Sequence, residues 1–267
     1  MFRYLLPGSE LHDKLRTNTP GIDSTVMYIY FKYSEEIPDV LKEENPITVD
    51  MNNAGDILAS ISEDGTRIYI YSDYDIRTKD CQMMFYRMSN LCRVDLYNFN
   101  TDECDSMRRM FMNCTSLVYV DMNNLSSSNV EDFTEMFSGC SSCQYIDIRR
   151  FKVPSTKETC VFSDMFKDTT SLRRISVGEN FVFEASMSLA NPNTDVIKDS
   201  NGLWNCPELA TSYNADDLPT GLDTTYYAID VNSDTLDKSL ITLGSLKEST
   251  KDIALSVARQ LKYLSAE

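Results

Sequence analysis

One histidine, His12, and one tryptophan, Trp204, are all that 267 residues hold of those two types. General-base and metal chemistry commonly recruits imidazoles from several parts of a fold, so an ordinary hydrolase or zinc enzyme is disfavoured from the start. Long apolar runs are missing too. No stretch approaches the roughly 20 residues that a membrane span needs, and Met1 opens onto Phe-Arg-Tyr-Leu-Leu-Pro rather than a basic head and an apolar core. The expectation is synthesis in the cytosol without a signal peptide, and no membrane insertion. Basic side chains are in short supply, 25 against 41 acidic ones, for a net charge of -16. Binding to nucleic acid or anionic lipid is opposed accordingly. There is no Gly-rich phosphate loop and no Gly-x-Ser-x-Gly elbow. The paired acids Asp216-Asp217 and Glu43-Glu44 fall in polar loops, whereas glycoside chemistry needs two carboxylates at a set separation in a cleft. The chain is expected to be no enzyme and to hold no cofactor. Its 42% hydrophobic content still suffices for a real core.

What the sequence does have is an internal period. Met-Phe occurs at Met84-Phe85, Met110-Phe111, Met136-Phe137 and Met165-Phe166, at offsets of 26, 26 and 29 residues. Seven residues after each Met stands Leu91, Leu117, Cys143 or Leu172. Three further on begin Val94-Asp95-Leu96, Val120-Asp121-Met122, Ile146-Asp147-Ile148 and Ile175-Ser176-Val177. Apolar, polar, apolar, led by a β-branched residue, is the signature of a short strand with one buried face. The other half of each unit has a different spacing. Val130, Phe133 and Phe137 sit three and four apart, as do Cys104, Met107 and Phe111, which predicts a helical stripe. Asn113, Gly139 and Asp168 follow, residue types that tolerate the left-handed conformation ending a helix; Arg87 breaks that rule. The longer third unit takes its extra residues around Pro154-Ser155-Thr156, in a loop. A strand and short helix cannot bury their apolar side alone, so successive units should stack with their strands in one parallel sheet, about 4.8 Å apart. That arrangement is a solenoid, with the Met-Phe aromatics as helical anchors.

The segment MFMNCTSLVYVDMNNLSSSNVEDFTEMFSGCSSCQYIDIRRF resembles the BspA-like leucine-rich repeats of bacterial surface proteins, and the likeness covers about residues 78–183. The lead-in Asp64-Gly65-Thr66-Arg67-Ile68-Tyr69-Ile70-Tyr71 is also similar to the hairpin before such arrays. Ser176 in place of the fourth strand aspartate and Cys143 in place of a leucine depart from the pattern. The resemblance implies an α/β class, a short leucine-rich-repeat solenoid of about four rungs, and a role in adhesion or protein binding. It also implies that the strand aspartate is the customary residue at its position.

Both flanks read as terminal caps, which an exposed solenoid requires. Residues 1–76 form a β-rich N-terminal domain: 24–33 is a strand, and 57–62 with 66–71 flank the hairpin turn Asp64-Gly65. Residues 34–53, rich in Glu with two prolines, suit a solvated connection. Residues 77–190 are the array, and 191–267 a mixed C-terminal cap or attachment region. The fold of 191–223 is not legible, residues 224–231 suggest a last strand, and the chain ends in a helix whose stripe is Ile253, Val257, Leu261 and Leu264. That helix either packs on the array end or makes a contact with another subunit, as in a homo-oligomer. The array carries only -3 of the net charge, so the acidity lies in the flanks.

Alternation assigns three columns to the outward strand face: Arg93, Tyr119, Tyr145 and Arg174; Asp95, Asp121, Asp147 and Ser176; Tyr97, Asn123, Arg149 and Gly178. Tyrosine beside arginine is a frequent interface pairing, and tyrosine stacks on sugar rings, so these residues are the candidate binding set. Stacked carboxylates repel unless cations such as Arg93, Arg149 and Arg174 sit nearby. A calcium or cationic ligand is the other reading of the aspartate column, against an architectural or solvated one. The eight cysteines do not form a zinc site, because Cys140-x-x-Cys143 lacks a second close pair or a histidine pair. Cys140 aligns with Cys114 and Cys143 with the leucines, so both read as small buried hydrophobes. Whether Cys114 and Cys140 are bridged stays open. His12, followed by Asp13, reads as an exposed titratable residue.

Two functions fit. In the first, the chain is a non-catalytic interaction or adhesion protein that recognises a protein or glycan on a host surface. Its setting is then the virion surface of a bacteriophage, as a fibre, decoration or tail-associated component beside other virion subunits. The alternative setting is a bacterial cell surface, with a leader outside the sequence given. In the second, the flanks assemble the chain into a virion and the array only spaces or decorates it.

Overall fold

The computed structural model describes residues 2–43, 46–122, 125–151, 160–198 and 200–229. The N-terminal part opens with β1 (Phe2–Tyr4) and then α1 (Gly8–Asn18), which buries Leu11, His12 and Leu15 along one stripe. The alternation in this stretch gave no hint of α1. A short α2 (Ile22–Thr25), β2 (Tyr28–Tyr33), α3 (Asp39–Glu43) and β3 (Ile47–Thr48) follow. Residues 34–53 are thus more than a solvated connection, and Val49 and Asp50 within them are buried. β4 (Leu58–Ile61) and β5 (Arg67–Ser72) form an antiparallel hairpin around Gly65, whose φ of 68° suits the turn there. Next come β6 (Asp75–Arg77), β7 (Arg93–Asp95), β8 (Phe99–Asn100), β9 (Tyr119–Asp121), β10 (Tyr145–Ile148) and β11 (Arg174–Val177). The last three are β12 (Trp204–Cys206), β13 (Thr211–Tyr213) and β14 (Thr224–Tyr227). Residues 204–213 therefore supply a hairpin in the region the sequence left unreadable, with Trp204 buried and its Nε1 donating to the Ala190 carbonyl at 3.1 Å.

These strands form three sheets, in the orders β1-β6-β8, β3-β4-β5-β2-β7 and β13-β12-β14-β11-β10-β9. The described residues therefore make a β-rich protein, and the expected α/β leucine-rich-repeat solenoid with a mixed cap does not stand. Two findings overturn it. First, all three α-helices among the described residues precede the Met-Phe units. Second, the four unit strands do not share one sheet: β7 pairs with β2, while β9, β10 and β11 pair with one another. The strands do lie where the alternation placed them. The expected final helix, with Ile253, Val257, Leu261 and Leu264, falls on residues outside the described ones, as does the expected loop at Pro154.

The missing helix has a clear cause. Around each Met-Phe the chain runs through consecutive tight turns, with Met84 N–H bonded to the Cys81 carbonyl, Tyr86 to Met83 and Met88 to Phe85. The intervening amides donate sideways to the next unit: Met83 to Arg108, Phe85 to Met110 and Arg87 to Met112. The same alternation joins Phe111 to Met136 and Phe137 to Met165. An amide committed to a neighbouring unit cannot close a helical bond to the fourth residue back. Left-handed residues turn the chain at each step: Arg87, Asn113 and Asp168 have φ of 61°, 61° and 59°, and Gly139 has 72°. Arg87, the apparent exception, adopts the same conformation as its equivalents. At Gly139 a Cβ would lie 2.2 Å from Asn113 Oδ1, so glycine also answers a close approach.

The core sits against these turns. Met84, Met110, Met136 and Met165 are all at most 1% exposed, as are Phe85, Phe111, Phe137 and Phe166. The four phenylalanine rings form a column at centroid distances of 5.2, 5.7 and 5.9 Å, with the last two pairs 8° from parallel. Each buried phenylalanine contributes about 1.5–3 kcal/mol by area, and each ring pair adds about 0.5–1.5 kcal/mol. Leu91, Leu117, Cys143 and Leu172 line the adjoining buried position.

Candidate binding face

The outward side of the strands is built by register. Across the five-stranded sheet, Arg67 on β5 and Arg93 on β7 both align with Tyr28 on β2. Across the six-stranded sheet, Tyr119, Tyr145, Arg174 and Tyr227 align on β9, β10, β11 and β14. The two rows meet where Val118 N–H donates to the Cys92 carbonyl at 3.3 Å. That bond matches the one from Gln144 N–H to the Val118 carbonyl at 2.9 Å one strand later. Arg93 is thereby placed one step from Tyr119. Two residues along each strand, Tyr69, Tyr30 and Asp95 make one row and Asp121, Asp147, Ser176 and Thr225 the other.

Side chains in these rows stack on one another. The Tyr119 and Tyr145 rings lie 5.0 Å apart at 24°, and the Arg174 guanidinium covers the other side of Tyr145 at 3.6 Å. Tyr30 and Tyr69 stack at 5.2 Å and 15°, Tyr28 and Tyr30 at 6.4 Å and 22°, and Arg67 lies over Tyr28 at 5.4 Å. The ring faces of Tyr145 are covered on both sides, so it presents an edge to solvent. The sugar-stacking role expected of it from sequence is not open to this rotamer.

The aspartate column is held by protein partners. Lys32 Nζ reaches Asp95 at 3.1 Å, and the Tyr119 hydroxyl donates to Asp121 at 3.0 Å. Asp147, only 2% exposed, accepts from the Tyr145 hydroxyl at 2.7 Å and from Arg149 Nη2 at 2.6 Å. Burial pushes the Asp147 carboxyl up, but the hydrogen bonds from Arg149 and Tyr145 outweigh it and hold it below the ordinary carboxylate range. The same pair raises Arg149. Tyr119 and Tyr145 are both pushed well above the usual phenol value, first by burial and then by the charges of Asp121 and Asp147. At neutral pH both hydroxyls are donors. No cluster of His, Cys, Asp and Glu placed to hold a metal ion occurs among the described residues.

Of the sequence-chosen residues, the structure brings Arg93, Tyr119, Tyr145 and Arg174 into one row and Asp95, Asp121 and Asp147 into the next. Arg149 folds back onto Asp147. Tyr97 is 62% exposed under Lys32 Nζ at 5.3 Å, and Asn123 lies outside the described residues. Sequence reasoning missed Tyr28, Tyr30, Tyr69, Lys32 and Arg67. The outward alternation of Tyr28, Tyr30 and Lys32 was legible in β2; what was not legible is that β2 inserts between β5 and β7.

One further expectation is corrected here, and one open question is answered. His12 is 4% exposed, and its Nε2 lies 2.8 Å from Asp23 Oδ1, because α1 turns it inward. Cys114 and Cys140 are buried free thiols, donating at 3.0 and 3.1 Å to the Phe85 and Phe111 carbonyls of the preceding units. Burial pushes both thiols far up, and Cys143 up to about 12.

Among comparisons with known proteins, residues 79–196 match a family model described as a Mycoplasma protein of unknown function, DUF285. The matched stretch contains all four Met-Phe units and is under half of the chain. It gives no support to leucine-rich repeats or to a phage origin. None of the curated proteins and none of the solved structures matches the chain.

Proposed function

We propose that this chain is a non-catalytic recognition protein displayed on a surface, and that its partner, a protein or glycan of a host, meets the outward strand face. The observation that carries this reading is the row Arg93, Tyr119, Tyr145, Arg174. Its members are half-buried side chains; strand register and stacking fix Tyr119, Tyr145 and Arg174, and Arg93 is placed by the pairing of β7 with β2. Tyrosine and arginine are common interface anchors because they bring large area at low rotamer cost. The Met-Phe turns behind them supply a rigid backing.

Display on a phage particle is the finer form of this reading. Capsid or tail genes found beside this one would support it, and cell-envelope genes would replace it with a bacterial surface. The direct test is binding of the purified chain to host cells and to a glycan array, wild type against Tyr119→Ala/Tyr145→Ala. Loss of binding in a double variant that still unfolds cooperatively is the expected result, with a lowered melting temperature because the ring stack and the Tyr145 donor to Asp147 are gone. Full retention of binding in a folded double variant rejects the face as the contact and favours a purely structural role.

A further inference from the structure

The geometry points to a more specific ligand for the same row: an acidic glycan whose carboxylates are widely spaced, held between Arg93 and Arg174. This inference rests on the recognition reading above. Among the described residues, neither guanidinium has a carboxylate oxygen within 4.0 Å, although the chain carries 41 acidic residues. Arg174 lies against Tyr145 and beside the Tyr227 hydroxyl. By contrast Arg67 on the same face reaches Asp64 at 3.1 Å, and Arg149 reaches Asp147 at 2.6 Å. Of the aspartates two residues along these strands, Asp95 is ion-paired with Lys32 and Asp147 with Arg149, while Asp121 accepts from the Tyr119 hydroxyl. Two half-buried cations, Arg174 held against Tyr145 and Arg93 on β7, are thus left without a carboxylate among the described residues of a strongly acidic protein.

The tyrosines between them favour the same ligand chemistry. Because Tyr145 is covered on one face by Tyr119 and on the other by Arg174, its ring edge meets the partner, and an aromatic edge carries the positive side of the ring quadrupole. Guanidinium N–H groups and aromatic edges together suit oxygens that bear negative charge. Arg93 and Arg174 stand three strand steps apart, about 14 Å at roughly 4.8 Å per step. A dense polyanion would be repelled by the net charge of -16, so the matching ligand has uncharged units between its carboxylates. A glycan fits this better than an acidic peptide. Peptides dock into grooves, pockets or free sheet edges. The described hollow of about 250 Å³ beside Trp204 includes none of these row residues.

The test uses the full chain on a printed panel of sialylated and uronate-bearing oligosaccharides, each beside its carboxyl-reduced form, with heparin and polyglutamate as further arms. Expected are binding to at least one acidic member, at least a tenfold loss on carboxyl reduction, and the same loss in Arg93→Gln/Arg174→Gln. Lys14→Gln, which removes one charge on α1, leaves binding unchanged, and all variants keep the wild-type melting temperature. Three results overturn the inference: no acidic member bound, reduced forms bound equally, or a folded double-glutamine variant with full affinity. Tighter binding of polyglutamate or heparin also overturns it, in favour of an acidic peptide or a dense polyanion. If the inference fails in any of these ways while Tyr119→Ala/Tyr145→Ala still abolishes host-cell binding, the recognition reading survives without it.

Discussion

The two sides of the Met-Phe units obey different constraints. On the turn side every second amide is donated to the neighbouring unit, and the gaps are filled by a column of phenylalanines at most 1% exposed. On the strand side the outward positions change from unit to unit, Arg93, Tyr119, Tyr145, Arg174, while β9, β10 and β11 beneath the last three keep one register. The turn side tolerates little because a changed residue disturbs its own unit and both neighbours. On the strand side exposed positions such as Tyr97 and Asp121 can vary without touching the scaffold, whereas Asp147 is built into it.

The sharpest way to break this contrast is Phe137→Ala. Phe137 is fully buried between Phe111 and Phe166, so the loss of packing and ring pairing should cost about 3–5 kcal/mol in denaturant unfolding. A cost below about 1 kcal/mol would mean the column is not the stabilising element.

Asp147 is the strand-side position that behaves like core, and Asp147→Asn probes it. Its folded carboxyl is held below the ordinary value, so its contribution is fully present above the unfolded value of about 3.9 and is lost as pH falls through the depressed one. At pH 7 the variant should be about 1–3 kcal/mol less stable. The gap should close below about pH 4, read from melting temperatures across pH. A gap that does not change with pH would show that the charge of Asp147 plays no part.

The smallest expected effect concerns the thiols. Cys143, raised to about 12 by burial, and the buried Cys114 and Cys140 should resist alkylation in the folded protein, while the half-buried Cys92 and Cys160 are modified first. Mass spectrometry after a timed pulse of iodoacetamide at pH 8 reads the order. Early labelling of Cys114 or Cys140 would mean that the turn side opens locally.

Much of this molecule was legible in its sequence. Alternation placed β7, β9, β10 and β11, the Met-Phe period identified the buried columns, and Asn113, Gly139 and Asp168 marked left-handed turns. These are local properties, set by side-chain period and by each residue's own steric freedom. Tertiary structure decided the rest. The three-and-four spacing of Cys104, Met107 and Phe111 mimics a helix, but amide donation to the next unit made it a run of turns. β7 found β2, about 65 residues upstream, so the tyrosines of β2 joined the face and the fold became three sheets. A partner distant in sequence leaves no periodic trace, and hydrogen bonding between separate segments cannot be read from either segment alone.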